Sequence, residues 1–271
     1  MKSLLTIALS AFALLAPIHA SAAEDAALKA AIAASHRTPS FVARDAARHP
    51  YETLSFFGIK PTMTVVELNP GGGWYTEILA PYLRDKGQLI LAAGDPESGD
   101  PGDQRAAARL NQKLATVPMV FDKVRVGAFK VPSKLDYAPR ASVDMVLTFR
   151  NVHNWAEMGD DALLAVFKSA YDALKSGGTF GVVDHRLPEK RVQDGKASTG
   201  YVHTSYVVRM AEKAGFKLAG SSEVNANAKD DADHEGGVWA LPPTFTNKDK
   251  DRERYAAIGE SDRMTLRFVK P

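Results

Sequence analysis

The stretch V-V-E-L-N-P-G-G-G-W-Y-T-E-I-L-A, residues 65–80, decides how the rest of the chain is interpreted. Its β-branched start is typical of a buried strand, and the apolar residues after the glycines recur with helical spacing. Glu67 therefore stands near the end of a strand, and Gly71 and Gly73 lie in the turn that leads into a helix. In doubly wound sheets the ligand crevice lies at such a turn, where glycines let a ligand approach the backbone.

Strand-like and helix-like segments alternate along the chain on both sides of this turn. The predicted strands cover residues 64–68, 88–93, 123–126, 143–149, 179–184, 216–224 and 264–269. Helical patterns lie between most of them, at residues 75–83, 104–115, 163–174 and 206–214. This alternation predicts a Rossmann-like doubly wound α/β sheet of seven strands, mostly parallel, with helices on both faces. Because no helix is evident between the last two strands, we expect an antiparallel last strand.

The N-terminus has the three parts of a secretory signal sequence. Lys2 supplies a positive charge, residues 4–16 are apolar, and Ala20-Ser21-Ala22 has the small-x-small pattern of a cleavage site. The apolar run is shorter than the roughly 20 residues that a membrane-spanning helix needs. We therefore predict cleavage after Ala22 and a periplasmic or secreted protein that has no membrane association once it is cleaved.

The predicted organisation has three parts. A signal peptide at residues 1–22 is followed by an N-terminal helical lead-in at 23–61 and a single α/β domain at 62–271. Within that domain, residues 225–262 form a polar insertion that is longer than connections in compact domains usually are.

Composition excludes several classes of function. Lys and Arg total 34 against 32 for Asp and Glu, a formal charge of +2, so charge does not favour a nucleic-acid or membrane-surface partner. The sequence contains no Cys, which excludes disulfides, Cys-ligated zinc, iron–sulfur clusters and thiol nucleophiles.

Several landmarks follow the glycine turn in a recognisable order. Glu67-x-Asn69-x-Gly71-x-Gly73 resembles the (D/E)-x-G-x-G-x-G first motif of class I S-adenosylmethionine-dependent methyltransferases. S-V-D-M-V-L at 142–147 resembles that family's fourth-strand motif, L-K-S-G-G-T-F at 174–180 its turn into strand five, and A-G-F at 214–216 its start of strand six. The segments P-G-G-G-W-Y-T-E-I-L-A-P at 70–81 and F-V-K-P at 268–271 resemble those of a group of exported bacterial predicted methyltransferases.

The resemblance implies that S-adenosyl-L-methionine is the cofactor. By position in the motif, Glu67 would lie close to the methionyl end of the cofactor, and Gly71 and Gly73 would let its chain pass the backbone. Asn69 replaces the first glycine of the motif, and asparagine tolerates a left-handed backbone better than most residues. This interpretation depends on an open glycine corner with Glu67 at its edge.

Two features depart from the family pattern. The acid that usually ends strand two and takes both ribose hydroxyls is replaced by Ala93. Asp95, two residues later, is our candidate substitute, and Glu97 is the next one. The acid usually found after strand three is also absent, and Phe129 follows that strand instead, either to stack on the adenine or to join the core.

A polar and aromatic cluster, T-F-R-N-V-H-N-W at 148–155, follows the fourth strand. His153 is our candidate general base, because an imidazole accepts protons near neutral pH. Asn151 could orient the substrate, and Arg150 could pair with an acidic group on the substrate or the cofactor. Trp155 either walls the pocket or packs in the core, and His153 could equally be a hydrogen-bonded structural residue.

The fifth strand ends in Asp184 and His185, two further candidate catalytic residues at the same sheet edge. Together with His153 and His203 they could supply nitrogen and oxygen ligands to a divalent metal. Nothing in their spacing specifies a metal site, so we predict no metal.

These observations favour a methyltransferase that acts on a small-molecule substrate. The alternative is a non-catalytic exported protein that binds a nucleoside or another small ligand on the same fold, which the missing ribose acid and the signal sequence favour. A nicotinamide oxidoreductase fits poorly, because consecutive glycines do not make the G-x-G-x-x-G pattern. Neither the methyl acceptor nor the oligomeric state follows from the sequence.

Overall fold

A computed structural model describes residues 25–271, so the predicted signal peptide at 1–22 lies outside the described residues. The helices are α1 (Ala26–Ile32), α2 (Pro39–Val42), α3 (Asp45–Arg48), α4 (Pro50–Phe57), α5 (Thr76–Leu83), α6 (Pro101–Thr116), α7 (Pro118–Phe121), α8 (Val152–Glu157), α9 (Asp160–Ala173), α10 (Thr204–Ala214) and α11 (Arg252–Ile258), with a 3-10 turn at Gly237–Ala240. The strands are β1 (Thr64–Leu68), β2 (Gln88–Ala93), β3 (Arg125–Ala128), β4 (Val143–Phe149), β5 (Leu174–Leu187), β6 (Val202–His203), β7 (Lys217–Ser222) and β8 (Arg263–Val269). Within residues 25–271, no helix has both the length and the apolar character that crossing a membrane requires.

The strands form one mixed sheet in the order β3-β2-β1-β4-β5-β8-β7. Neighbouring strands from β3 to β5 are parallel, whereas β8 runs antiparallel to both β5 and β7. The predicted doubly wound sheet with an antiparallel last strand is therefore confirmed. An eighth strand, β6, has only two residues and pairs with β5 outside the main order, which is why its pattern is invisible in the sequence.

Two apolar cores cover the two faces of the sheet. Successive residues of β1 belong to different cores: Val65 packs with the residues of α1, α4 and α5, and Val66 packs with those of α8, α9 and α10. Both are fully buried, as expected for a strand with helices on either side. Each such buried side chain contributes about 1.5–3 kcal/mol, so the central strands hold the carboxyl edge of the sheet in place.

The largest difference from the predicted bounds is in β5. This strand begins at Leu174 rather than at residue 179, because Leu174 already pairs with Val143 before the glycine turn. Gly177 within it has a left-handed φ of 77°, which glycine adopts without strain. The segment at 225–262 contains the 3-10 turn and α11, so it has more regular structure than its polar composition predicts.

Candidate active site

A polar cavity of about 230 Å³ lies at the carboxyl ends of β4 and β5. Its lining residues come from four parts of the chain: Arg44; Arg150, His153 and Asn154; His185; and Val238, Trp239, Pro242, Pro243, Thr244, Glu260 and Ser261. The last group reaches this edge because β8 is antiparallel, so its first residues stand opposite the last residues of β5. The segment at 225–262 therefore supplies one wall of the cavity.

Asp184 organises the polar side of this cavity from inside the protein. It is fully buried, and Oδ2 accepts hydrogen bonds from the backbone N–H groups of Val152 at 2.5 Å and His153 at 3.3 Å. Oδ1 accepts from the backbone N–H of His185 at 2.7 Å and lies 2.8 Å from His153 Nδ1. A carboxylate that accepts this many hydrogen bonds fixes both the start of α8 and the imidazole of His153.

His153 and His185 face each other across the end of the sheet, with ring centroids 5.1 Å apart. When Nδ1 of His153 donates to Asp184, Nε2 is left as the proton acceptor of the ring. His185 Nδ1 lies 2.5 Å from Ser261 Oγ. Burial, together with the charges of His153 and nearby arginines, lowers the pKa of His185 well below its usual value, so this ring stays neutral.

Asn151 does not line the cavity; it braces the glycine corner. Its Nδ2 donates to the carbonyls of Leu68 and Asn69 and to Thr148 Oγ1, at 3.1–3.3 Å. Its Oδ1 accepts from Asn69 Nδ2 at 3.0 Å. Both ends of the amide are thus engaged within the protein, which supports a positioning role in place of the expected contact with substrate.

The backbone of the glycine corner is exposed. Asn69, Gly71 and Gly72 all lie at the surface, and Asn69 has a φ of 49°, the left-handed conformation that its residue type predicts. Gly71 (φ 58°) has open space beside it: apart from its chain neighbours, no atom of residues 25–271 lies within 4 Å of where a Cβ would stand. A ligand could therefore approach the backbone at Gly71.

The expectation that Glu67 lies at the edge of an open cradle is wrong. Its side chain is buried and accepts a 2.7 Å hydrogen bond from Thr76 Oγ1. Burial raises the pKa of Glu67 to about 8, so the carboxyl group is mostly neutral at pH 7. A strand-end residue flanked by β2 and β4 on both sides has little access to water, which is why the exposure inferred from the motif was incorrect.

The N-terminal segment covers the helix that follows the corner. Glu77 of α5 is buried and accepts from the Thr38 N–H at 2.9 Å, from Thr38 Oγ1 at 2.6 Å and from Lys113. Trp74 donates from Nε1 to the Phe41 carbonyl at 2.9 Å. These contacts leave only about 20 Å³ of space between the corner and the N-terminal segment.

Arg150 connects this small space with the larger cavity, since it lines both. Its backbone has a left-handed φ of 61°, and its N–H donates to the Val183 carbonyl at 2.7 Å. Burial, and then the charges of Arg44 and Arg263, lower the pKa of Arg150 to about 10. The corner and the cavity therefore meet at one guanidinium group.

The residues expected to hold the ribose and the adenine are engaged elsewhere. Asp95 is buried, accepts from the Glu97 N–H at 3.0 Å and forms an ion pair with Lys134 at 3.1 Å. Phe129 belongs to the core, where its ring lies 5.8 Å from those of Tyr137 and Trp155. Of the two alternatives open for Phe129, core packing is the one that the structure shows.

Trp155 also packs in the core and does not line the cavity, because it lies on the buried face of α8. His203 is separate from the histidine pair, with Nε2 2.8 Å from the Arg191 carbonyl. His153, Asp184 and His185 are close enough for a shared cation, since their ligand atoms lie within 4.8 Å of one another. The Asp184 oxygens are already bonded, however, and the neighbouring charges are arginines, so this arrangement does not favour a metal.

Sequence reasoning missed Arg44, Glu260 and Ser261. Arg44 Nε and Glu260 Oε1 are 2.5 Å apart although 216 residues separate them in the chain. One signal was available: residues just before an antiparallel last strand must lie at the carboxyl edge of its parallel neighbour. That rule would have placed Glu260 and Ser261 near His185.

Comparison with known proteins shows the fold. No protein-family model matches the sequence, and no curated protein is significantly similar to it. The chain is similar in structure to a SAM-dependent methyltransferase from Aquifex aeolicus, with a TM-score of 0.54, 16% identity, and 86% of this chain and 94% of that chain covered. It is equally similar to the [4+2]-cyclase SpnF, with a TM-score of 0.54, 14% identity, and 83% and 80% covered. The fold is thus the Rossmann-like methyltransferase fold, which also carries another chemistry.

Proposed function

We propose that this protein is an S-adenosylmethionine-dependent methyltransferase whose small-molecule acceptor enters the 230 Å³ cavity. The observation that carries the proposal is the position of Arg150, which lines both the cavity and the space at the glycine corner. A cofactor laid along that corner would end beside the histidine pair. The methyltransferase fold and the order of sequence landmarks support the same assignment.

The open turn at Gly71 fits a bound cofactor, whereas the buried Glu67 differs from the family pattern. Gly71 offers an exposed left-handed turn that a side chain would obstruct. Asn69 and Gly73 would flank the bound cofactor, and Arg150 lies between this corner and the cavity. Glu67 is buried but still lines the small space at the corner, so it would serve there as a mostly neutral hydrogen-bonding group.

When bound, S-adenosylmethionine supplies a methyl group on a positively charged sulfur. The chain's own residues would align the acceptor and remove its proton, because displacement at that carbon needs alignment and exclusion of water. His153 Nε2 is the proton acceptor in this proposal, since Asp184 holds Nδ1 and stabilises the imidazolium that forms. His185 stays neutral beside it and accepts or donates one hydrogen bond through Ser261.

Calorimetric titration with S-adenosylhomocysteine tests the cofactor site. Gly71→Asp places a carboxylate in the open space at the corner without a clash, and we expect it to abolish binding. Gly177→Asp is the matched control, because Gly177 has a similar φ of 77° and equally open surroundings away from the corner. Failure of the unaltered protein to bind at millimolar ligand would contradict the cofactor assignment.

A second candidate is a non-catalytic protein that binds a nucleoside or another small ligand. It is favoured by the buried Ala93 in place of the ribose acid and by the engagement of Asp95 with Lys134. Binding of S-adenosylhomocysteine without any methylated product from cell-envelope extracts, in the presence of S-adenosylmethionine, would select this candidate.

We also propose that the protein is exported and cleaved after Ala22. The signal sequence features at residues 2–22 support this. Cell fractionation followed by N-terminal sequencing is the test: a mature chain that begins at Ala23 outside the cytoplasm is expected, and an uncleaved cytoplasmic chain would contradict the proposal.

A further inference from the structure

Positive charge is concentrated on one side of the cavity. Glu260 is bonded by three arginines: by Arg44 Nε at 2.5 Å, by Arg48 Nε at 3.4 Å and by Arg263 Nη1 at 3.2 Å. Arg150 is a fourth arginine beside them, and among residues 25–271 no carboxylate lies within ion-pair distance of its guanidinium. The cluster therefore holds four positive charges and one negative charge.

Two arginines of this cluster are buried, and one of them has a nitrogen that lacks a hydrogen-bond partner. Arg48 and Arg263 are only 2% and 4% exposed, and Arg48 Nη2 is buried without a partner in the described chain. Burial, and then the charge of Arg150, lower the pKa of Arg48 to about 9. An uncompensated buried charge is unfavourable unless an opposite charge completes the set.

We infer that Arg150 and Arg44 bind an oxyanion, a carboxylate or phosphate group carried by the small molecule that enters the cavity. Both side chains line the cavity, whereas Arg48 and Arg263 lie behind them and hold Glu260. A guanidinium group donates parallel hydrogen bonds that match the two oxygens of such an anion.

The inference narrows the substrate class. His153 and Arg150 line the same small cavity, so the anionic group and the proton-bearing nucleophile must belong to one small molecule. Only the description of that molecule as the methyl acceptor rests on the proposed function. Anion binding can be measured without the cofactor, so its test does not depend on the methyltransferase assignment.

The test is thermal unfolding and calorimetry with inorganic phosphate and with acetate, in the absence of S-adenosylmethionine. We expect both measurements to show binding by the unaltered protein for at least one of these anions, with a higher melting temperature. Arg150→Gln should weaken this binding about tenfold or more, because it removes charged hydrogen bonds. Arg140→Gln is the matched control, since Arg140 is 80% exposed and pairs with Asp172 on the surface.

Melting without added anion separates lost binding from lost folding. Arg150→Gln should melt no lower than the unaltered protein, because it removes surplus positive charge from the cluster; if it melts lower, Arg44→Gln takes its place in the titration. Absence of binding by either anion, or equal binding by the arginine variant and Arg140→Gln, would overturn the inference.

Competition distinguishes the two sources of the anionic group. If phosphate and S-adenosylhomocysteine bind together, the arginines serve a separate small molecule, as inferred. If each displaces the other, the arginines hold the carboxylate of the cofactor itself, and the assignment to the substrate is overturned. Loss of S-adenosylhomocysteine binding in Gly71→Asp with unchanged phosphate binding would show that the two sites are independent.

Discussion

The glycine corner and the histidine cavity lie at the same sheet edge but are built in opposite ways. At the corner the backbone is exposed while Glu67 is buried and mostly neutral, and the N-terminal segment leaves little room. In the cavity, charged and titratable side chains face an open space of about 230 Å³. A ligand would therefore meet backbone at the corner and charged or titratable side chains in the cavity.

Because of this difference, a sequence motif can identify the corner but not the cavity. A sequence motif identifies the corner, because glycine positions follow from backbone geometry. The chemistry of the cavity depends on side chains from distant segments that no local motif describes.

Asp184→Ala should be the most damaging single change in the cavity. It leaves the N–H groups of Val152, His153 and His185 without their acceptor, and we expect a loss of about 4 kcal/mol in the free energy of unfolding. Urea denaturation measures this loss. Asp172→Ala, at an exposed ion pair, is the control and should change stability by less than about 0.5 kcal/mol; equal losses would refute the role given to Asp184.

Glu67→Gln probes the corner through pH. The pKa of Glu67 is about 8 in the folded protein against 4.5 ordinarily, so the folded state keeps a proton that the unfolded chain releases. The contribution of Glu67 to the free energy of unfolding should therefore be largest below pH 4.5 and should fall by about 1.4 kcal/mol per pH unit between pH 4.5 and pH 8.

Glutamine lacks this titration, so the stability of Glu67→Gln relative to the unaltered protein should increase by about 3 kcal/mol between pH 5 and pH 7. Denaturation curves at several pH values test it. Parallel pH profiles for the two proteins would mean that the pKa of Glu67 is the same in the folded and unfolded states, contrary to its burial in the structure.

Glu77→Gln should loosen the cover of the corner and leave the cavity intact. Replacing the buried carboxylate that Thr38 and Lys113 bond is expected to cost about 2 kcal/mol of stability. Hydrogen exchange should then increase around Thr38, at residues 36–41, while Arg44 stays paired with Glu260 and phosphate binding in the cavity is unchanged. A matching loss of phosphate binding would show that the contacts of Glu77 also hold the cavity arginines in place.

The sheet could be predicted almost completely from the sequence, because the strands are short β-branched runs and the helices have clear apolar periods. Expected features such as the left-handed Asn69 and the antiparallel last strand are found in the structure. The two-residue strand β6 and the early start of β5 could not be predicted, since pairing with a neighbour and not residue type creates them.

The site was predicted less well. His153, Asp184 and His185 come together as expected, because parallel strands end at one edge. Asn151 was expected to contact the substrate, but its amide group donates to backbone carbonyls instead. Asp95 was expected to contact the ribose, but it accepts a hydrogen bond from Lys134. Such contacts depend on side-chain directions and on partners far along the chain, which a motif does not contain.

We propose that the glycine corner and the histidine cavity form one continuous site that meets at Arg150. A crystal structure of the protein with S-adenosylhomocysteine bound tests it most directly. We expect the ligand to lie along Gly71 with its sulfur directed past Arg150 toward His153. A ligand bound away from Gly71, or one whose sulfur points away from the cavity, would contradict it.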